Sequence, residues 1–307
     1  MRKIILSSNK LLHTIINHTF DDTDIKVQNT YVDKKLLDKY YIEFEYEESN
    51  GSLLRVRISS INKEYLRFTI EEVFLYFMLI MEARKSNYKD NYYVSMSKIR
   101  SIRGLNSNSD STYKKYVEAL ERLCSKEIRV IPYKTKYKKK PIICKMLEVS
   151  DKKYVKSNLS SFWFNFGDLD TTLVKSKQKI ALGFNIFSIP LKKGAIFLFY
   201  VYILRMIFIN RIKYSYMNLS VQKVLMFNKR ISKDGTIQNE DYYSYLLRAP
   251  NKRTETLNKF YEEVEALLKQ LVKSNTIISY KMPDNRSFKY IRDNEVLINI
   301  KFEKVKE

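Results

Sequence analysis

Two stretches of the chain share one tetrapeptide, Val117-Glu-Ala-Leu120 and Val264-Glu-Ala-Leu267, which lie 147 residues apart. The same offset, without a gap, carries Lys126 onto Lys273. In each copy apolar residues recur at helical spacing around the tetrapeptide, and β-branched residues follow. A repeat unit of more than about 100 residues indicates a duplicated domain rather than a solenoid.

The same order of elements precedes the tetrapeptide in both copies: an apolar helix, a short helix and a long helix, followed by a strand pair. Thr69-Ile-Glu-Glu72 is a capping box that predicts the start of the first helix. The order predicts an α+β fold made of two tandem winged-helix (helix-turn-helix) domains with small antiparallel sheets. The predicted helices are 73–81, 94–99 and 113–124 in the first copy and 190–209, 217–224 and 257–271 in the second.

The domain limits follow from these elements. We expect an N-terminal arm with one short helix at residues 1–39, a first winged helix at 40–156 and a second at 157–307. Alternating runs at Tyr40–Tyr46 and Leu53–Ile58 flank Asn50-Gly51, which predicts a hairpin. The second domain is expected to begin with a strand at 161–166. Residues 228–249 have no counterpart in the first copy and are predicted to contain a short helix at 241–247.

The charge of the chain is strongly positive. It has 56 Lys and Arg against 34 Asp and Glu, a formal net charge of +22. An excess of this size attracts polyanions. Nucleic acid is the polyanion that the placement of the charges favours.

Cysteine content and hydropathy bear on location. The two cysteines, Cys124 and Cys144, give no disulfide framework, so we expect a cytoplasmic protein. The apolar stretch Ala195–Ile209 is too short to span a bilayer and contains Arg205. It is therefore interpreted as a buried core helix, and no membrane association is expected.

The exposed face of each long helix is predicted to bind DNA, because basic and small polar side chains cluster at its N-terminal end. A helix dipole is already positive there, so cations at that end favour a bound anion. The predicted contacts are Asn108, Ser111, Thr112, Lys114, Lys115 and Arg122 in the first copy, and Arg248, Lys252, Arg253, Thr254, Thr256 and Lys259 in the second.

The loop of each predicted wing supplies further candidates. The first wing is predicted as strands 128–131 and 141–149. Its tip, residues 134–140, has five lysines in seven residues: Lys134, Lys136, Lys138, Lys139 and Lys140. The second wing is predicted as strands 277–280 and 288–291 around Pro283–Arg286, with Arg286 and Lys289 as contacts. A further strand is predicted at 296–302. Such lysines would bind phosphates, whereas charge reversal at Arg253 is expected to harm specific binding more than reversal at Lys138.

Motifs of the common catalytic classes do not occur in the sequence. The six glycines never form a phosphate-cradling loop, and His13 and His18 do not have the spacing of a zinc protease. The two cysteines are isolated, which disfavours a four-ligand zinc site. We therefore expect no catalysis, no metal and no cofactor.

Two tandem winged helices in about 300 basic residues, without an ATP-binding loop, resemble the replication initiators of iteron-type plasmids. The resemblance covers about residues 40–307 and is architectural. It implies that each winged helix binds part of a directly repeated double-stranded site at an origin. It also implies dimerisation through the first domain, at the strands around Tyr40–Ile58, and recruitment of a replicative helicase.

Other functions stay open on the sequence alone. A transcriptional repressor or a plasmid partition protein that binds the centromere would share the same physics. A nicking enzyme that uses a tyrosine and a metal belongs to a different class, as does a membrane-associated basic protein.

Overall fold

The structure of the chain is a computed structural model. It describes residues 4–6, 25–33, 35–47, 53–86, 91–102, 110–134, 141–170, 180–182, 214–227, 229–231, 237–273 and 275–304. The chain divides into two compact units, an N-terminal unit, Ile5–Lys179, and a C-terminal unit, Ile180–Glu307 with Met1–Ile4. Both combine helices with small antiparallel sheets, which confirms the α+β class.

The described helices and strands have the following bounds. The strands are β1 (Ile4–Leu6), β2 (Lys26–Val32), β3 (Lys35–Glu47), β4 (Leu53–Ser60), β5 (Tyr92–Ser95), β6 (Glu127–Lys134), β7 (Ile142–Lys145), β8 (Glu148–Val155), β9 (Asn158–Asn165), β10 (Ile180–Leu182), β11 (Tyr216–Ser220), β12 (Lys229–Ile231), β13 (Ile237–Asp241), β14 (Ser279–Lys281) and β15 (Leu297–Lys301). The α-helices are α1 (Ile70–Lys85), α2 (Met96–Ile102), α3 (Asp110–Ser125), α4 (Val221–Phe227), α5 (Tyr242–Arg248), α6 (Arg253–Lys273) and α7 (Phe288–Asp293). Short 3-10 helices occupy Lys63–Leu66, Gly167–Leu169 and Pro250–Lys252.

Helix α1 begins at the capping box that the sequence predicts. The Thr69 hydroxyl accepts a hydrogen bond from the Glu72 backbone N–H (3.2 Å), and the Thr69 N–H donates to the Glu72 carboxylate (2.7 Å). These two bonds satisfy donors that the first turn of a helix otherwise leaves unpaired. The helix then runs through the core, because every residue from Val73 to Met81 is buried.

A five-stranded antiparallel sheet, in the order β2-β3-β4-β6-β7, covers one side of the N-terminal unit. Its inner face stacks Ile42, Ile58 and Ile128 in register, and all three are buried. The strands predicted on either side of Asn50-Gly51 are paired as β3 and β4, whereas the turn itself lies outside the described residues.

Each unit also contains a three-stranded sheet, and the strand order of this sheet is the same in both units. In the N-terminal unit it is β5-β9-β8, and in the C-terminal unit it is β11-β15-β14. In both, the first strand leads directly into a short helix, and a serine at the junction accepts a backbone hydrogen bond. Ser95 accepts from Lys98, and Ser220 accepts from Lys223. The two units therefore share this small strand-and-helix arrangement.

Several strands of the N-terminal half belong to sheets other than those that the sequence predicts. Strands β6 and β7 pair with each other as expected, but β6 also pairs with β4, so both are part of the five-stranded sheet. The predicted strand 141–149 is divided between β7 and β8. The strand predicted at 161–166 as the start of the second domain is β9, which pairs with β5 and β8 of the N-terminal unit.

The compact units therefore differ from the predicted domain limits. The predicted boundary after residue 156 falls inside the two-residue turn that joins β8 to β9, and the units divide after Lys179 instead. The predicted arm, residues 1–39, contains β2 and the start of β3, which are strands of the five-stranded sheet. The helix predicted within the arm lies outside the described residues, as does the apolar helix predicted at 190–209.

The second predicted wing contains a helix where a strand is expected from the sequence. Residues 288–291 begin α7, because the Ser287 hydroxyl accepts from the Tyr290 N–H (3.4 Å) and caps the first turn. Phe288 and Ile291 are both buried, and a spacing of three places them on one helical face. The strand predicted at 296–302 is confirmed as β15, and it pairs with β14.

A buried ion cluster joins α1 to α3 and to the residue after it. Arg122 Nε donates to Glu72 Oε2 (2.8 Å), and Lys126 Nζ donates to Glu72 Oε1. Arg122 also donates to the backbone carbonyls of Glu64 (3.0 Å) and Arg67 (2.7 Å). One carboxylate thus holds two cations inside the N-terminal unit, and it fixes α3 against the start of α1.

Candidate nucleic-acid interface

The exposed lysines of α3 lie in its N-terminal half. Lys114 and Lys115 are exposed, and Lys115 Nζ lies 3.8 Å from Glu71 Oε1. Further along the helix the exposed charged residues are Glu118 and Glu121. A polyanion would therefore be attracted to the first two turns, where the helix dipole adds positive charge, and repelled by the rest of the helix.

Arg122 does not belong to this surface. The sequence predicts it as a DNA contact one turn after Lys115. In the structure it is 7% exposed and its guanidinium is engaged by Glu72 and two backbone carbonyls. Its partners lie 50 to 58 residues away in the chain, so helical spacing could not reveal them. Arg122 is corrected to a structural residue.

Part of the predicted interface lies outside the described residues. The backbone positions of Ser111 and Thr112 fall in the first turn of α3, and that of Lys134 ends β6, but their side chains are not described. The remaining members of this group are Asn108, Lys136, Lys138, Lys139 and Lys140. Their contribution to DNA binding stays a prediction.

The β8–β9 hairpin is a basic element that sequence reasoning missed. Lys152, Lys153 and Lys156 are exposed on it, together with Tyr154, which is 57% exposed. The turn residues Lys156 and Ser157 both have positive φ, 47° and 65°, as a type I′ turn requires. The turn lacks the Asn-Gly signal that would have predicted it.

The hairpin lies alongside α3. At the C-terminal end of the helix, the Met146 N–H donates to the Lys126 carbonyl (2.8 Å) just before β8 begins. At the N-terminal end, the Tyr113 hydroxyl donates to the Leu159 carbonyl (3.2 Å) just after β9 begins. The hairpin therefore runs along α3, and its turn lies toward the N-terminal end of the helix.

The α6 helix of the C-terminal unit shows the same polarity of charge. Lys252, Thr254 and Lys259 are exposed at its N-terminal end, and Thr256 is half-buried. Glu255 lies among them, and Lys259 Nζ is 2.5 Å from its carboxylate. Residues 260–273 contain three glutamates and two lysines, so the C-terminal part of the helix is net acidic.

Arg253 is half-buried, and its guanidinium is held by backbone carbonyls. Its Nε donates to the Leu246 carbonyl (2.6 Å) and its Nη2 donates to the Leu247 carbonyl (3.0 Å). The guanidinium lies 5.0 Å from the Phe288 ring centroid. These contacts connect α5, α6 and α7 through Arg253, and its direct contact with DNA stays a prediction.

The other predicted cations of the C-terminal unit are exposed. Arg248 is 68% exposed and forms two hydrogen bonds with Glu240. Arg286 lies in the segment before α7, with its guanidinium 5.1 Å from the Tyr261 ring centroid, and Lys289 is exposed on α7. Arg286 and Lys289 thus lie on a loop and a helix, not on the strand hairpin that the sequence predicts.

The two thiols are not activated. Burial raises the pKa of Cys124 to about 11, and burial also raises the pKa of Cys144. Both are therefore protonated near neutral pH. In the part of the chain that the structure describes, no helix has the length and hydropathy to cross a membrane.

By fold, the chain is similar to domains 2 and 3 of RctB. A crystal structure of selenomethionine derivatives of these domains matches it with a TM-score of 0.51 and 9% sequence identity, over 95% of this chain and 99% of that chain. A second structure of RctB domains 2-3 gives a TM-score of 0.48 at 9% identity, over 70% and 77% of the two chains. No known family and no curated protein matches the sequence. The likeness is therefore one of fold.

Proposed function

We propose that this chain is a sequence-specific double-stranded DNA-binding protein that initiates plasmid replication by binding repeated sites, or iterons, at an origin. RctB is a replication initiator, and the fold similarity extends over nearly the whole chain. The observation that carries the proposal is the charge polarity of α3 and α6. Each helix has exposed lysines at its N-terminal end and is net acidic further along, where α3 exposes Glu118 and Glu121 and α6 has three glutamates against two lysines.

The proposal treats each unit as a winged helix. In this interpretation α2 and α3 form the helix-turn-helix of the N-terminal unit, and α4 and α6 form that of the C-terminal unit. The shared strand order, in which the last strand lies between the first and the second, supports it. The β8–β9 hairpin then takes the place of the wing, and α7 interrupts the corresponding hairpin in the C-terminal unit.

The binding mode follows from where the charges lie. The N-terminal turns of α3 and α6 enter the major groove, where Lys114 and Lys252 reach base edges or phosphates. Lys152, Lys153 and Lys156 on the hairpin bind the adjacent phosphate backbone. The glutamates in the second half of each helix keep those turns away from the duplex, so the contact is limited to the N-terminal end.

In the proposed function the chain binds DNA and catalyses no reaction on it. In this scheme the chain dimerises through the strands of the N-terminal unit and recruits a replicative helicase after it has loaded on DNA. Incubation of supercoiled origin DNA with the protein and Mg²⁺ or Mn²⁺ tests the first point, and nicking of the DNA would contradict it.

Footprinting on the DNA that neighbours the gene tests the proposal as a whole. An initiator should protect directly repeated sites, each about two helical turns long, beside an AT-rich tract. Protection of a single palindrome would instead indicate a dimeric repressor. Absence of any protected sequence, in salt where the protein still binds DNA, would contradict specific recognition.

A further inference from the structure

The segment that the C-terminal unit has between α4 and α6 forms the β12–β13 pair and α5. It packs onto the end of α6 that the proposed function places on DNA. The Tyr242 and Phe260 ring centroids are 5.9 Å apart, and those of Tyr243 and Phe288 are 5.5 Å apart. The inserted helix α5 therefore contacts both α6 and α7, and it is seated beside the N-terminal turn of α6.

Arg253 fixes this arrangement. It is the first residue of α6, and it donates to the last carbonyls of α5, those of Leu246 and Leu247. A guanidinium at the C-terminal end of a helix satisfies carbonyls that have no partner within the helix and offsets the negative end of its dipole. Arg253 thereby holds α5 at a fixed position relative to the start of α6.

The insertion presents its own basic cluster. Arg230 and Arg248 share one carboxylate, that of Glu240, with the shortest N···O distances 2.7 and 2.9 Å. Both guanidinium groups also face the Tyr245 ring, at 3.7 and 5.8 Å from its centroid. Burial acts to raise the pKa of Glu240, but the hydrogen bonds from the two arginines outweigh burial. The pKa is lowered, so the carboxylate stays charged. Two cations on one carboxylate leave a net positive charge.

The surroundings add to this charge. Segments 229–231, 237–259 and 284–293 together contain nine Lys and Arg residues against five Asp and Glu residues. The rest of α6, residues 260–273, contains three glutamates against two lysines. The positive field is thus concentrated at the end of α6 where α5 lies, and an anionic polymer would be drawn across α5 as well as α6.

We infer that the inserted segment extends the DNA-binding surface of the C-terminal unit. Arg230 and Arg248 bind phosphates of the backbone beside the groove that α6 enters, and Arg253 is the positioning residue that holds α5 there. The inference rests on the proposed function, and it assigns to the insertion the backbone contacts that the β8–β9 hairpin makes in the N-terminal unit.

The first test neutralises the cluster. The variant Arg230→Gln with Arg248→Gln should bind duplex DNA more weakly. The slope of log K against log salt should become shallower by about 0.9 for each phosphate that is no longer neutralised, or about 1.8 for two. The matched control is Lys269→Gln with Lys273→Gln, which removes the same charge from the other end of α6. The control should bind like the unmodified chain.

A variant with the opposite expected sign guards against simple loss of folding. Glu240→Gln keeps both arginines and removes the carboxylate that competes with phosphate for them. Glu240 is partly exposed, so a neutral side chain is tolerated at this position. Duplex binding should become tighter and its salt dependence steeper. An unchanged or weaker affinity would show that the two arginines serve only to bind Glu240.

Arg253→Lys tests the positioning role at constant net charge. A lysine cannot donate to two carbonyls in the fixed geometry of a guanidinium. The variant should lose preference for the specific site over unrelated DNA while its salt dependence stays unchanged. Unchanged site preference would overturn the positioning role.

The outcomes separate the two proposals. If the unmodified chain does not bind duplex DNA, the proposed function fails. The other outcome is that the unmodified chain binds, with the Arg230 and Arg248 double variant equal to the Lys269 and Lys273 control variant in affinity and in salt slope. In that case only the role of the insertion fails.

Discussion

The buried ion cluster around Glu72 leads to a prediction about stability. Two substitutions in this cluster should change the free energy of unfolding by very different amounts. Glu72→Gln leaves Arg122 and Lys126 buried without a counter-charge, and it weakens the bond to the Thr69 N–H. Removing one partner of a buried ion pair costs about 3–5 kcal/mol. A domain of this size has about 5–15 kcal/mol in total, so most of the stability of the N-terminal unit should be lost.

Lys126→Met is the matched substitution, because it removes the second cation and leaves Glu72 paired one to one with Arg122. Methionine has a similar volume, and the site lies against the Phe68 ring. Burial lowers the pKa of Lys126, so its charged form is unfavourable at this site, and relief of that cost offsets the loss of the donor to Glu72 Oε1. We therefore expect a change in the free energy of unfolding of less than about 1 kcal/mol, in either direction.

Urea unfolding followed by tryptophan fluorescence measures this difference directly. The chain has a single tryptophan, Trp163 in β9, so the signal reports on the N-terminal unit. Equal losses of stability in the two variants would refute the idea that one carboxylate is shared by two cations. So would a loss of less than about 1 kcal/mol for Glu72→Gln, against the roughly 3–5 kcal/mol expected.

The same cluster predicts a dependence on pH. Burial lowers the pKa of Lys126 from its ordinary value of 10.5 to about 8, although Glu72 opposes the shift. Between pH 8 and 10.5 the unfolded chain therefore binds more protons at this amine than the folded chain does. Stability should then rise with pH across this window, by at most about 1.4 kcal/mol per pH unit. The rise should be absent from Lys126→Met, and an equal rise in both proteins would contradict the assignment.

Two further predictions concern the β8–β9 hairpin. Lys156→Asn with Ser157→Gly supplies the residues that a type I′ turn favours, so the N-terminal unit should be stabilised by about 1 kcal/mol in urea unfolding. A lower urea midpoint than that of the unmodified chain would mean that the turn is not strained. Tyr113→Phe removes the hydrogen bond to the Leu159 carbonyl and should cost about 1 kcal/mol, with weaker duplex binding in a fluorescence anisotropy titration. Unchanged DNA affinity in that titration would show that the hairpin does not need its bond to α3.

The helices are predictable from the sequence where their signals are local. The capping box at Thr69 and the apolar stripes of α3 and α6 depend on spacings of three and four residues, and all three helices are present. The strand predicted at 288–291 is wrong, because Phe288 and Ile291 are three residues apart, a spacing that puts them on one face of a helix but on opposite faces of a strand. The Ser287 cap is a further signal for the helix.

The candidate interface is predictable only in part, because exposure depends on partners that are distant in the sequence or on unmarked turns. Arg122 and Arg253 have the residue type and the helix position of DNA contacts, yet one binds Glu72 and the other binds carbonyls of α5. The sequence does not predict the lysines at 152–156 as DNA contacts, because the Lys156-Ser157 turn coincides with the predicted domain boundary. The strand that follows the turn pairs backward instead.

A charge-matched comparison of duplex binding tests the central claim most directly. One variant replaces Lys114, Lys152, Lys153 and Lys156 with glutamine, and the other replaces Lys26, Lys35, Lys63 and Lys85, which are exposed on other elements of the same unit. Binding of a labelled duplex should show a salt slope that becomes shallower by about 3 to 4 in the first variant and by less than about 1 in the second. Equal changes in the two variants would contradict the assignment of DNA binding to α3 and the β8–β9 hairpin.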